Sequence, residues 1–350
     1  MSLTYARVLA LVLVAQCPAC FLFSPRPSLD QLPWTPGRAT QGMVKRVRGT
    51  VLDGMAWEGD ELHSFPAGTS RPLDFPDGNV TVSGPDVDGC IAMLRTNAVF
   101  ASDRLELIRS DGSRQQLSKW SSMDPWPAVA LSERGQRIAV SFRVDRGGYD
   151  YTDRVIRIFD VPSGTTRTID SEPVGHLVWV LDGGALAFVV YSYRGADGLW
   201  HPGFNGEPFD PHAPRIERKQ TVMLYSFDSG ETRELCTGEA VAAANTPDRL
   251  LVVHDLSVQS VDVRTGDSIE YGRVPGMGSS RLLGQTPEEL LVYEGWATRE
   301  EGVEFPSFTT MAPSHTWTVK AFDPKSQEFC TLVPRVYHGR RDYRLPRAVE

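Results

Sequence analysis

One hairpin is written six times along this chain, and that repetition limits the available folds more than any single residue does. A strand-like stretch runs into a turn of Gly, Pro, Ser or Asp, and a second strand rich in Thr, Arg or Glu follows. The copies are ELHSFPAGTSRPL from Glu61, LELIRSDGSRQQL from Leu105, VIRIFDVPSGTTRTI from Val155, VMLYSFDSGETREL from Val222, VQSVDVRTGDSIEYG from Val258 and WTVKAFDPKSQEFCTL from Trp317. Units recurring at a spacing of several tens of residues mark a repeat architecture.

A second pattern, two apolar strands around a tight polar turn, precedes the hairpins. It reads WPAVALSERGQRIAVSF from Trp126, GHLVWVLDGGALAFVVYS from Gly175, AVAAANTPDRLLVVHD from Ala240 and SSRLLGQTPEELLVYEG from Ser279. A weaker version, NVTVSGPDVDGCIAMLR, begins at Asn79. The strands are dense in Val, Leu, Ile and Ala, and the turns carry residues that tolerate unusual backbone angles. Two strands plus a two-strand hairpin make a four-stranded antiparallel sheet with two apolar faces. Such sheets bury both faces by packing radially, so the sequence predicts an all-β, six-bladed β-propeller.

The turn-and-strand phrases SERGQRIAVSF and VLDGGALAFVV, followed by hairpins such as FDVPSG and FDSGETREL, resemble the propeller repeats of the TolB-like and WD40-like families. TPDRLLVV and TPEELLVY depart from that pattern. The resemblance covers roughly residues 79–333 and is specific for architecture, not activity. The chain is also similar to the propeller half of prolyl-oligopeptidase-type peptidases, without room for their catalytic α/β-hydrolase domain. The TolB-like resemblance implies an exported binding scaffold at the cell envelope.

At 350 residues the chain would suggest two domains by length alone, but a closed propeller takes this length as one. Its 31 glycines and 25 prolines suit many short strands, and helical periodicity is nearly absent. A net charge of -8 without a basic stripe argues against nucleic acid. Arginines 335, 340, 341, 344 and 347 crowd the C-terminal stretch, where a solvated tail or a charged last strand accounts for them. We expect a monomer, with residues 335–343 closing the ring against residues 43–52.

Residues 1–24 read as a signal segment: Arg7 precedes a short apolar core, VLALVLVA, too short to span a membrane. A Pro-rich linker over residues 25–42 follows, and the propeller occupies residues 43–350. The protein is therefore expected outside the cytoplasm, with no membrane span once the signal is removed. Cys17 and Cys20 leave room for a lipid anchor, though Gln16 fits such a signal poorly. The other three cysteines, Cys90, Cys236 and Cys330, are expected as free thiols, because Cys236 and Cys330 end hairpins of non-neighbouring blades.

Loop length supplies the functional expectation. The long insertions, residues 143–154, 194–220 and 295–316, all join a second strand to a third, and so should emerge on one face. They hold Tyr149, Tyr151, Trp200, His201, Phe204, His212, Trp296, Phe305 and Phe308. Aromatics with Arg and His are the residues of recognition hot spots, although any one aromatic more often pins its own loop. This favours a non-enzymatic propeller that binds a protein, peptide or glycan. The alternative is a propeller hydrolase or lyase with its site at the mouth of the central channel.

Catalytic motifs are absent: no GxSxG, SxxK, HExxH or GxxxxGK[ST] occurs. His201, Asp210 and His212 have ligand chemistry without metal-site spacing, and Asp145, Asp150 and Asp153 do not match a calcium loop, so no metal and no cofactor are expected. His176 and His254 lie in or beside apolar strands and read as core histidines.

Overall fold

The computed structural model of the chain describes residues 53–58, 61–63, 70–72, 79–83, 90–97, 102–109, 111–120, 128–143, 154–169, 173–195, 197–202, 217–274, 282–286, 289–296, 317–336 and 342–344. Contacts divide the chain into residues 1–33 and 34–350, and every described residue belongs to the second unit. The expected signal segment and linker lie outside the described residues. None of the described helices is long and apolar enough to cross a membrane.

The strands fall into six antiparallel sheets. The first contains β1 (Asp53–Glu58), β2 (Glu61–His63) and β3 (Ser70–Pro72). The second runs β4 (Asn79–Ser83), β5 (Ile91–Asn97), β6 (Ser102–Ile108) and β7 (Arg114–Trp120). The third runs β8 (Ala128–Leu131), β9 (Arg137–Arg143), β10 (Arg154–Asp160) and β11 (Thr165–Ile169). In the fourth, β12 (Pro173–Val180), β13 (Ala185–Arg194), β15 (Arg218–Ser226) and β16 (Thr232–Thr237) form the same meander, and β14 (Trp200–Pro202) adds to β13. The fifth comprises β17 (Ala240–Ala243), β18 (Arg249–His254), β19 (Ser257–Asp262) and β20 (Ser268–Arg273). The sixth comprises β21 (Leu282–Gln285), β22 (Leu291–Trp296), β23 (Trp317–Asp323) and β24 (Glu328–Val336). β25 (Asp342–Arg344) then returns to the first sheet and pairs with β1.

The arrangement is propeller-like. All six repeated hairpins are the last two strands of their sheets, and first strands stand beside one another: β4 by β8, β8 by β12, β12 by β17, β17 by β21, β21 by β25. One expectation needs correction: the fourth sheet has five strands, because part of its long insertion turns back and hydrogen-bonds to β13. The C-terminal segment meets the first sheet at Asp53–Met55 of β1, with Gly54 opposite Tyr343; the stretch 43–52 named in the closure expectation lies outside the described residues.

Alternation explains why the strands read as nearly continuous apolar runs. Along β13, Leu186 and Phe188 enter a core shared with the third sheet, while Ala185, Ala187 and Val189 enter one shared with the fifth. Along β18, Leu250 and Val252 face the fourth sheet, and Leu251 and Val253 the sixth. The runs Ala185–Val189 of β13 and Leu250–Val253 of β18 are thus wetted on neither face, and one polar substitution in such a run would orphan a buried group.

Polar ties fix neighbouring sheets in register. The Trp179 indole N–H donates to the Ala130 carbonyl at 3.0 Å, and the Leu131 amide donates to Ser83 Oγ at 3.0 Å. Arg167 on β11 donates to the Phe227 carbonyl of the next sheet and lies 4.1 Å over the Phe227 ring. Arg233 on β16 makes the corresponding bond to the Val263 carbonyl one sheet on. The two arginine bonds satisfy carbonyls just past strand ends.

Candidate functional site

The three long insertions do join second strands to third ones: β9 to β10, β13 to β15 and β22 to β23. Most of their residues lie outside the described set, among them Tyr149, Tyr151, Phe204, His212, Phe305 and Phe308. Trp296 ends β22, with its backbone opposite Trp317. Trp200 and His201 are the candidates with described side chains.

Both sit on a small raised tab. The last residues of β13 are paired on two sides, Ser192, Tyr193 and Arg194 with Pro202, His201 and Trp200 of β14, and Ser192 and Tyr193 with Lys219 and Arg218 of β15. The turn between β13 and β14 closes through Gly195 N–H to the Leu199 carbonyl at 2.8 Å and Gly198 N–H to the Gly195 carbonyl at 3.0 Å. Leu199 and Trp200 are exposed at its tip, an uncommon placement for large apolar side chains side by side.

His201 is held firmly for a surface histidine. Its Nε2 lies 3.0 and 2.9 Å from the two Asp197 carboxylate oxygens, and its ring stacks on Tyr193 with centroids 5.4 Å apart. The hydrogen bond from His201, helped by the Leu199 amide, holds the Asp197 carboxyl below the usual carboxylate range. Gly195 makes the space: a Cβ there would fall 2.7 Å from the His201 ring and 2.8 Å from Asp197 Oδ1. Beside the pair, Arg194 is engaged by Glu217 at 3.1 Å.

A second cluster was not foreseen. In the fifth sheet the connection from β18 to β19 is a tight turn, with Asp255 and Leu256 both in the left-handed region (φ 47° and 66°). Its His254 is exposed, which corrects the expectation of a core histidine: it is the last residue of β18, past the buried run Leu250–Val253. Ala240 pairs with Val253, so Glu239, one residue earlier, stands opposite His254 at the same end of the sheet. Glu239, His254 and Asp255 each offer a ligand atom, all within 4.8 Å of one another. Gly238 lets the chain pass there, since a Cβ would lie 2.3 Å from Val252 Cγ1, and the Glu239 amide then bonds the Val253 carbonyl at 2.7 Å.

Two carboxylates and an imidazole form a borderline donor set of the kind that takes Zn²⁺ or Mn²⁺ and leaves positions open for water. Ligand atoms around a tetrahedral ion sit about 3–3.5 Å apart at bond lengths near 2.1 Å. Small rotations of these exposed side chains would suffice. His176, by contrast, is partly buried in β12. Cys90 and Cys236 carry no disulfide, and burial together with Glu234 pushes the Cys236 thiol up to about 11.

No family model matches the chain, and no curated protein matches it by sequence. Among solved structures it is similar to an acylaminoacyl peptidase of Pyrococcus horikoshii (13% identity, TM-score 0.40), covering 70% of this chain and 38% of that one. It is similar to a protein described as a putative TolB from Agrobacterium tumefaciens (13% identity, TM-score 0.40; 72% and 80% covered). A periplasmic gluconolactonase of Pseudomonas aeruginosa matches at 15% identity and TM-score 0.40, with 85% and 98% covered. The chain spans well under half the length of the acylaminoacyl peptidase. The likeness is one of all-β, propeller-type architecture.

Proposed function

We propose that the protein is a six-bladed propeller hydrolase or lyase that works with a divalent cation held by Glu239, His254 and Asp255 at the mouth of a central channel. The convergence of those three ligand types carries the reading. Glu239 leads into β17, a first strand, and first strands adjoin from sheet to sheet, which favours a site beside the axis. The short turn in the fifth sheet leaves this site open between the long connections of the fourth and sixth, which would share its face and shape what enters. A cation held by Glu239, His254 and Asp255 would supply polarisation of a substrate oxygen and a more acidic bound water. The single domain over residues 43–350 and extracytoplasmic placement through residues 1–24 belong to the same proposal.

Calorimetric titration with Zn²⁺, Mn²⁺ and Ca²⁺ tests it, together with turnover of ester, glycoside and peptide substrates with and without chelator. The expected result is one ion per chain, lost in His254→Ala and Glu239→Gln, and turnover that chelation abolishes. Absence of both ion binding and turnover would overturn the proposal. The exposed Leu199 and Trp200 favour a second reading, a non-catalytic binder of a protein, peptide or glycan. In that case Trp200→Ala would weaken partner binding by about 1–3 kcal/mol with no metal dependence.

A further inference from the structure

Beyond the cation cluster, we propose that His201 and Asp197 form a proton-transfer pair, in which Asp197 fixes the imidazole through Nε2 and leaves Nδ1 as the base. This rests on the hydrolase reading and assigns it a second working group, on the tab of the neighbouring sheet. An ordinary surface histidine samples several rotamers. Three features remove that freedom here: the carboxylate takes Nε2 at 3.0 and 2.9 Å, the Tyr193 ring stacks against one face, and Gly195 vacates the volume the pair occupies. Fastening a hairpin would need only one of them.

With an ionised carboxylate at Nε2, that nitrogen must donate, so the lone pair resides on Nδ1. Among the described residues Nδ1 has no hydrogen-bond partner, and the side chain is about 38% exposed. Among the described residues the groups around it are Asp197 from the turn, Tyr193 from β13, and Arg194 held by Glu217. Arg218 of β15 lies opposite Tyr193 in the ladder. A positive imidazolium would be offset by Asp197 directly.

The chemistry this suits is hydrolysis of an ester. A neutral imidazole is a base of the right strength for water attacking a carbonyl, and far too weak to form an unstabilised carbanion. Water's O–H bond breaks, its proton goes to Nδ1, and the oxygen electron pair forms the new bond to the carbonyl carbon as the C=O π pair moves onto the carbonyl oxygen. When that pair returns and the bond to the alcohol oxygen breaks, Nδ1–H gives its proton to that oxygen. Acid, alcohol and neutral imidazole result, with no oxidant or reductant required.

The test needs neither substrate nor metal. Diethyl pyrocarbonate acylates an unprotonated imidazole nitrogen, and peptide mapping reads the rate at each histidine. In the full chain, at a pH where every imidazole is neutral, His201 should be modified at Nδ1, and Asp197→Asn, which removes the charge that makes Nδ1 more basic, should slow that modification about threefold to tenfold. Gly195→Ala, which pushes ring and carboxylate apart, should slow it similarly. Long-range proton–nitrogen spectra should place the neutral proton on Nε2. An unchanged rate in Asp197→Asn, with or without a lower Tm, or a proton found on Nδ1, would overturn the proposal. A failed cation titration would leave it standing, and its own failure would leave the Glu239 cluster untouched.

Discussion

Gly238 illustrates how one missing methyl group places a functional carboxylate. Its Cβ position is occupied by Val252 Cγ1, a buried side chain that has nowhere to retreat. Gly238→Ala should therefore destabilise the protein by about 1–3 kcal/mol, the usual consequence of overpacking, and weaken cation binding by displacing Glu239. A urea melt paired with a Zn²⁺ titration checks both halves. Cys236 makes a chemical prediction at the same scale. With its thiol raised to about 11, the thiolate population near pH 8 should be about a hundredfold below that of an unhindered cysteine. Iodoacetamide should alkylate it slowly in the native protein and quickly in denaturant. Asp197 carries a pH dependence of opposite character. Its folded pKa is depressed, so its contribution to stability is present above the unfolded value of about 4 and fades as the pH falls through the lower folded one. The Tm difference between the native protein and Asp197→Asn should accordingly shrink in acid. A persistent difference at low pH would assign the effect to packing.

Among the elements, the outer strands carry the arginine bonds that join one sheet to the next. Arg167 and Arg233 occupy matching places in β11 and β16, and each reaches a carbonyl beyond the third strand of the following sheet. At the matching place in β20 stands Ile269, exposed, with no guanidinium to offer. Arg167→Ala should cost about 1–2 kcal/mol, combining a charge-assisted hydrogen bond with a cation–π contact. Thermal melts of Arg167→Ala beside Arg167→Lys would show the geometric share, since an ammonium cannot stack and bond at once. The strands themselves were legible in the sequence, because period-two apolar runs between Gly, Pro and Asp turns admit few other structures. The fifth strand of the fourth sheet was not: WHP is three residues with no alternation, and it pairs only because β13 overruns β12. The Asp197–His201 contact was equally hidden, lying across a turn that reads as loop. Glu239 opposite His254 could have been found. Counting back from the TPDR turn aligns AVAA with LLVV and leaves those two residues facing each other.

For the whole molecule, the pairing of β25 with β1 decides whether the first sheet has a bare edge. A chain ending before Asp342 would present the β1 ladder to solvent and to other copies. We expect that truncation to lower the Tm and to shift the protein toward dimers or larger species in size-exclusion chromatography; an unchanged monomer would mean that these few bonds contribute little. The same pairing has a bearing on biosynthesis. Gly54 must wait for Tyr343, so on the ribosome the earliest sheet is made first and completed last. Until then its neighbours can fold in order while the first sheet stays provisional.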